Sequence, residues 1–149
     1  YLDGILLSSS TIDLFFKKLG GHTLRVDATD RAGNPSSKQI EFRVIATIES
    51  TISDIERAFT LGWISKRSVK EKLVRLLEHA TRIERRIDVI EDRLPDGKKV
   101  ERKIEKLEKK LDKVLSQRFT EELEEQRGKN INEQAYQILK EDVNLLLAN

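Results

Sequence analysis

The spacing of apolar residues changes along this chain of 149 residues, and that change constrains the fold more than any other feature. Up to residue 48, apolar and polar residues alternate in short runs, which is the period of a half-buried strand. From residue 69 onward, apolar residues recur at steps of three and four, the period of a helix with one buried face. The sequence therefore predicts an α+β chain, with an antiparallel β module at 1–48 and a helical module at 49–149.

Alternation in the first part is clearest at 21–30 and at 38–46. The shorter run "TIDLFF" at 11–16 predicts a third strand, and "GILL" at 4–7 is a candidate fourth. Glycine, proline, asparagine and serine separate these runs and favour tight turns between strands. The residues predicted to face inward are Ile12, Leu14, Phe16, Leu24, Val26, Ala28, Ile40, Phe42 and Val44.

An oxygen-rich cluster lies at the turn "DRAGNPSS" and just before it. Asp27, Asp30 and Asn34 are a candidate Ca²⁺ site, because carboxylate and amide oxygens are the ligands that this ion prefers. Calcium takes 6–8 oxygens, however, and the turn offers only about three. We therefore favour the interpretation that Asp30 and Asn34 hydrogen-bond the backbone of the turn itself.

"YLDG" at 1–4 and the segment 11–44 resemble the C-terminal half of a bacterial Ig-like module. A complete sandwich of this kind has about seven strands, so the resemblance implies a partial sheet. The missing strands would come from the parent polypeptide, from a cleaved N-terminal fragment, from a second copy or from the helical module. The absence of methionine favours an internal piece of a longer polypeptide. The matching residues are Gly20 or Gly21, His22, Thr23, Val26, Ala28, Asp30, Ala32, Gly33 and Asn34.

Four helices are predicted in the second part. A short one ends near Gly62, and the next is broken by "LPDG" at 94–97. A third ends at "RGKN", 127–130, and Asn132 is the predicted N-cap of the last. Short connections favour an antiparallel three- to four-helix bundle. The predicted buried stripes are Val69, Leu73, Leu76, Ala80, Ile83, Ile87 and Ile90; Val100, Ile104, Leu107, Leu111, Val114, Phe119 and Leu123; and Ala135, Ile138, Leu139, Val143 and Leu146.

The segments 62–80 and 127–147 resemble the two ends of a FIMAH-type module, a small helical appendage of bacterial secreted and cell-wall proteins. Residues 84–125 are longer and more charged than that family's pattern. Together the two resemblances imply a secreted or cell-surface location and a larger parent protein, with any catalytic part upstream. The matching residues are Gly62, Ile64, Ser68, Val69, Lys72, Leu73, Gly128, Lys129, Ile131, Ala135 and Leu139.

Several functional classes are disfavoured by composition. There is no cysteine, which excludes disulfides and thiolate chemistry, and no apolar run approaches the length of a membrane span. Positive and negative charges are nearly balanced in both parts, which argues against nucleic acid as a partner. His22 and His79 are the only histidines, and neither has the neighbours of a catalytic triad or a zinc pair. We therefore predict no enzyme activity, cofactor or metal.

Two features remain as candidate contacts for a glycan or a polyanion. One is the basic stripe Lys99, Arg102, Lys103, Lys106 and Lys110 on the second long helix. Acidic residues flank this stripe and no aromatic residue interrupts it, so a solvated face is the simpler interpretation. The other is Trp63, which could form an exposed platform for a sugar. Its apolar neighbours favour a packing role, so we expect it to be largely buried where the short helix meets the bundle.

The sequence therefore leaves two hypotheses for function. The first is a non-catalytic accessory module of a secreted hydrolase or surface protein, acting as spacer, stabiliser or adhesion unit. The second is a module that binds a glycan or a cell-wall polymer. Binding to polysaccharide would distinguish the second from the first.

Overall fold

The chain is α+β and divides into two compact units, Tyr1–Ile45 and Ala46–Asn149. A computed structural model describes residues 1–93 and 97–148. The first unit contains a two-stranded antiparallel sheet, and the second is helical. The boundary lies close to residue 48, where the period of the apolar residues changes.

The sheet is a hairpin of β1 (Gly20–Thr29) and β2 (Pro35–Val44). Its register places Leu24 opposite Ile40 and Val26 opposite Lys38. Residues directly opposite each other in an antiparallel pair share a face. The predicted alternation is therefore confirmed, with one mainly apolar face and one polar face.

The segment before the hairpin differs from the prediction. Residues Leu14–Phe16 form a 3₁₀ helix and not a strand, because the Asp13 side chain accepts a hydrogen bond from Phe15 N at 3.2 Å and caps the turn. Phe15 is the buried residue, whereas Leu14 and Phe16 are more than half exposed. The prediction that Leu14 and Phe16 face inward was therefore wrong, because the residue between them, Phe15, is the buried one.

The candidate fourth strand at 4–7 is also absent from the described structure. Leu2 and Ile5 exchange backbone hydrogen bonds of 2.8 and 2.9 Å across a two-residue turn. Asp3 and Gly4 both have positive φ, at 49° and 80°, as a type I′ hairpin turn requires. Tyr1 pairs with Arg25 through two backbone hydrogen bonds of 2.7 and 2.9 Å, so the start of the chain lies along the outer edge of β1.

The second unit contains five α-helices among the described residues, and α3 runs into α4 through a π-helical segment, Lys113–Phe119. α1 packs against α2 and α5, while α2 also packs against α3, α4 and the π-helical segment. The predicted helix break at 94–97 lies outside the described residues except for Gly97. The helices are α1 (Ile48–Thr60), α2 (Arg67–Arg93), α3 (Lys98–Asp112), α4 (Thr120–Gln126) and α5 (Glu133–Leu146).

Local signals set the ends of these helices. Thr47 and Ser50 form a reciprocal capping box at the start of α1. Gly62, with φ of 74°, follows its end, as the sequence predicts. The predicted N-cap of α5 is confirmed, since the Asn132 side chain accepts a hydrogen bond from Ala135 N at 2.9 Å.

The core follows the predicted stripes in part, and two corrections concern leucine positions. Besides Leu76, six residues of the predicted stripes are only partly buried: Ile87, Val100, Ile104, Leu111, Ile138 and Leu146. On α2, Leu77 is fully buried and Leu76 only partly, so the stripe takes the second leucine of the pair. Beyond α3, Leu115 is buried although the sequence prediction omitted it. The other buried apolar residues of the unit include Ile48, Ile55, Ile64, Leu73, Phe119, Leu123, Ile131, Leu139 and Val143.

The π-helical segment explains the second correction. Leu111, Leu115 and Phe119 recur every four residues, a spacing that drifts by about 40° per step on a regular α-helix. A π-helix turns more slowly, because its hydrogen bonds span five residues. The wider turn thus keeps Val114, Leu115 and Phe119 on the buried side. Thr120 Oγ1 also donates to the Leu115 carbonyl, five residues earlier, at 3.1 Å.

Candidate functional site

The candidate calcium ligands are occupied by hydrogen bonds within the hairpin. Asp30 Oδ1 accepts from the backbone N–H groups of Ala32 and Asn34, at 2.8 and 2.9 Å. The Asn34 amide donates to Asp30 Oδ2 at 2.8 Å. Asp27 lies on β1 and accepts a hydrogen bond of 2.7 Å from Ser37 Oγ on β2. The oxygens thus stabilise the turn and the strand pair, and no acidic or histidine cluster suited to a metal occurs in the described residues.

His22 is an anchor between the first turn and β1. Its Nδ1 lies 2.7 Å from Asp3 Oδ2, and its Nε2 lies 2.7 Å from the Lys18 carbonyl oxygen. Both partners are acceptors, so this geometry favours the imidazolium, in which both ring nitrogens donate. The hydrogen bond to Asp3 is the largest of the effects that raise the pKa of His22. The ring also stacks on Phe42, with a centroid distance of 5.6 Å.

The loop that contains Trp63 pairs with the loop before α5. Trp63 O accepts from Asn132 N at 2.9 Å, and Ser65 N donates to Asn130 O at 2.8 Å. Between these contacts, Ile64 and Ile131 form an antiparallel bridge, and both are almost fully buried. The Trp63 side chain is partly exposed, so the fully buried residue of this loop is its neighbour Ile64.

All five residues of the predicted basic stripe on α3 are exposed. Near the end of this stripe, the charges of Lys110, Arg82 and Arg118 all act on His79. These cations come from α3, α2 and the π-helical segment, and within the described residues none of them makes an ion pair. Burial and then these three charges lower the pKa of His79, so its imidazole is neutral at pH 7. We call His79, Arg82, Lys110 and Arg118 the basic cluster. Of the five residues of the predicted basic stripe, only Lys110 belongs to it.

Two buried acids were missed by the sequence analysis. Glu122 on α4 is 4 % exposed and forms an ion pair with Lys72 on α2. Asp142 on α5 is 3 % exposed, and its Oδ2 has no hydrogen-bond partner in the described part of the chain. Burial first, and then the charge of Asp54 on α1, raise the pKa of Asp142 to about 8. Asp142 is therefore protonated at pH 7.

None of the described helices is long and apolar enough to cross a membrane. Comparisons of the chain with protein-family models, with curated proteins and with solved structures found no match. Function must therefore be inferred from the residues and contacts described above.

Proposed function

We propose that this chain is a non-catalytic accessory module of a larger extracellular bacterial protein, a secreted hydrolase, for which it serves as a spacer, stabilising or adhesion unit. In this proposal, the first unit is part of an Ig-like sheet and the second a FIMAH-like antiparallel bundle. The observation that carries the proposal is the uncovered apolar face of the hairpin. The pairing of the loops at 62–65 and 130–132 supports the second resemblance, because these loops hold two of its matching segments.

The hairpin exposes the residues that a sandwich would bury. Val26 is 59 % exposed and Ile40 is 50 % exposed on the apolar face, and Ile5 and Leu6 are each more than 70 % exposed. An isolated two-stranded hairpin is marginally stable in water at best. Additional strands against this face would remove these side chains from water, and each would contribute roughly 1.5–3 kcal/mol if fully buried.

The outer edge of β1 indicates where such a strand would pair. Tyr1 already exchanges two backbone hydrogen bonds with Arg25 there. Peptide groups of alternate residues point to the same edge of a strand. The backbone N–H and C=O groups of Asp27 and Thr29 therefore lie on the same outer edge of β1 as those of Arg25. A strand that continues from Tyr1 in the N-terminal direction would pair with both. The proposed partner is therefore the rest of the parent polypeptide, or a cleaved N-terminal fragment of it.

Hydrogen exchange tests this proposal on the whole chain. In residues 25–29 and 35–44, the backbone amides are expected to exchange much faster than those of α2, because only two strands protect them. The same amides should become protected in a longer protein that includes the polypeptide preceding Tyr1 in its parent, while exchange in α2 stays unchanged. A hairpin that is as well protected as α2 in the monomeric chain alone would contradict the proposal.

The basic cluster favours binding of an anionic wall polymer as a second candidate function. Three cations from separate elements, without an ion pair in the described part of the chain, act electrostatically on one partly buried imidazole. Residues 70–118 contain no phenylalanine, tyrosine or tryptophan on which bases could stack. These features suit the phosphate groups of a polymer without bases better than they suit nucleic acid.

Histidine NMR tests this second function, since the two rings report on separate units. Inorganic polyphosphate is expected to raise the pKa of His79 and to leave His22 unchanged, because an anion offsets the nearby cations and stabilises the imidazolium. Lys110→Gln should weaken binding about two- to fivefold, as expected for loss of one exposed charge pair. Lys99→Gln, on the same exposed stripe, is the matched control. Equal effects of the two variants, or no response of His79, would argue against this site.

A further inference from the structure

Asp142 occupies a position that an apolar residue would ordinarily hold. It lies on the face of α5 that also carries Leu139 and Val143, both almost fully buried. Its Oδ2 has no hydrogen-bond partner in the described part of the chain. Buried polar atoms without a partner are rare in proteins, and a buried carboxylate is disfavoured unless it binds a proton or a cation.

Among the described residues, the charged groups that shift the pKa of Asp142 are acids and not cations. Asp54 on α1 hydrogen-bonds to it, and Asp54 and Glu141 both act on it with negative charge. From α4, Glu124 is engaged by Tyr136 Oη at 2.6 Å and by Lys140 Nζ at 3.0 Å. The other two elements carry exposed cations, Arg57 on α1 and Lys113 and Arg118 on the π-helical segment, and none of them contributes to the shift of the Asp142 pKa.

We propose that Asp54 and Asp142 form a proton-operated latch between α1 and α5. When the carboxyl pair binds one proton, Asp142 is neutral, the hydrogen bond between the two acids forms, and α5 stays packed against α1. When that proton leaves to water, two carboxylates face each other in a buried contact, and the C-terminal part of α5 is released. The latch does not depend on the proposed accessory or polymer-binding function.

The release is confined to the C-terminal part of α5, because the N-terminal part is held by other contacts. Arg127 donates two hydrogen bonds to Glu133, at 2.9 and 2.7 Å. Glu124 binds Tyr136 and Lys140, and the Asn132 cap stabilises the first turn. These contacts do not involve Asp142. Residues 141–148 are therefore the segment expected to open.

The direction of the pH dependence follows from the two pKa values of Asp142. Its ordinary pKa is 3.8, and in the folded unit the pKa is about 8. The folded unit therefore retains a proton that the opened segment releases between these values. The stability that the proton gives to the closed latch is fully present below about pH 4, falls as the pH rises, and is lost above about pH 8. Across this window the opening constant should rise by up to about tenfold per pH unit, the limit for one linked proton.

Hydrogen exchange across pH tests the latch in the whole chain. After correction for intrinsic exchange, protection of 141–148 is expected to fall between about pH 4 and pH 8 while protection of 133–140 persists. Asp142→Asn should abolish this pH dependence, because the neutral amide can donate to Asp54 at every pH. Glu141→Gln, one residue away and exposed, is the matched control and should retain it. Protection of 141–148 that stays constant in the unsubstituted chain, or that still falls with pH in Asp142→Asn, would overturn the proposal.

A direct titration keeps the test decisive if Asp142→Asn does not fold. Carboxyl carbon NMR of the unsubstituted chain should place the pKa of Asp142 near 8, well above the ordinary aspartate value of 3.8. Asp54→Asn should then lower the pKa of Asp142, because it removes the nearest negative charge. An Asp142 carboxyl that titrates near the ordinary value of 3.8 would exclude the latch.

Discussion

Phe119→Ala is expected to destabilise the helical unit by about 3–5 kcal/mol, the usual cost of removing a buried phenylalanine side chain. Phe119 is fully buried at the end of the π-helical segment. The segment packs against α2, α3, α4 and α5, so the cavity would lie where these helices meet. Urea unfolding at pH 7, followed by the helical circular dichroism signal, measures the loss. Domains of this size are commonly stable by about 5–15 kcal/mol, so a large fraction of the total would be lost.

Phe59→Ala provides the matched control within the same unit. Phe59 lies on α1, is partly exposed, and has the Lys70 ammonium 5.7 Å from its ring centroid. Its removal leaves a site that water can fill, so the free energy of unfolding should fall by clearly less than for Phe119→Ala. Equal losses in the two variants would mean that the π-helical segment is not the centre of the core.

The hairpin was predictable because several local signals agree. Alternation, turn residues and register all point to the same strand pair, and Gly33 adopts the left-handed conformation that the turn needs, with φ of 89°. The segment at 11–16 was not predictable in this way. Its sequence "TIDLFF" has adjacent apolar residues, so alternation alone does not decide whether Phe15 or Phe16 faces inward. The Asp13 cap decides between them, and it is a short-range effect that competes with strand pairing.

The two candidate sites differ in how far sequence could have revealed them. Asp142 lies at the steps of three and four that join Ala135, Leu139 and Leu146, so an acid within an apolar stripe was a visible signal. The basic cluster could not be predicted from the spacing of residues in the sequence. Arg118, whose charge acts on His79, lies on a π-helical segment, and no sequence motif marks such a segment.

Truncation of Leu77 on α2 is the second change expected to cause a large loss of stability, and the adjacent Leu76 provides its control. Leu77→Ala is expected to cost about 2–5 kcal/mol, because the side chain is fully buried and truncation leaves a cavity. Leu76 is only partly buried, so Leu76→Ala should cost clearly less. The two variants remove the same atoms from the same helix, and both change helix propensity by the same small amount. The difference between their losses of unfolding free energy therefore reports the effect of burial.

Thermal and urea unfolding of both variants would decide which stripe the core uses. The steps of the predicted stripe, from Leu73 to Leu76 and then to Ala80, require Leu76 to be the costlier site. The observed stripe runs from Leu73 to Leu77 and then to Ala80, and it requires the reverse. Both stripes satisfy the helical period, so the sequence pattern cannot distinguish them. A larger loss of unfolding free energy for Leu76→Ala than for Leu77→Ala would contradict the packing of α2 described above.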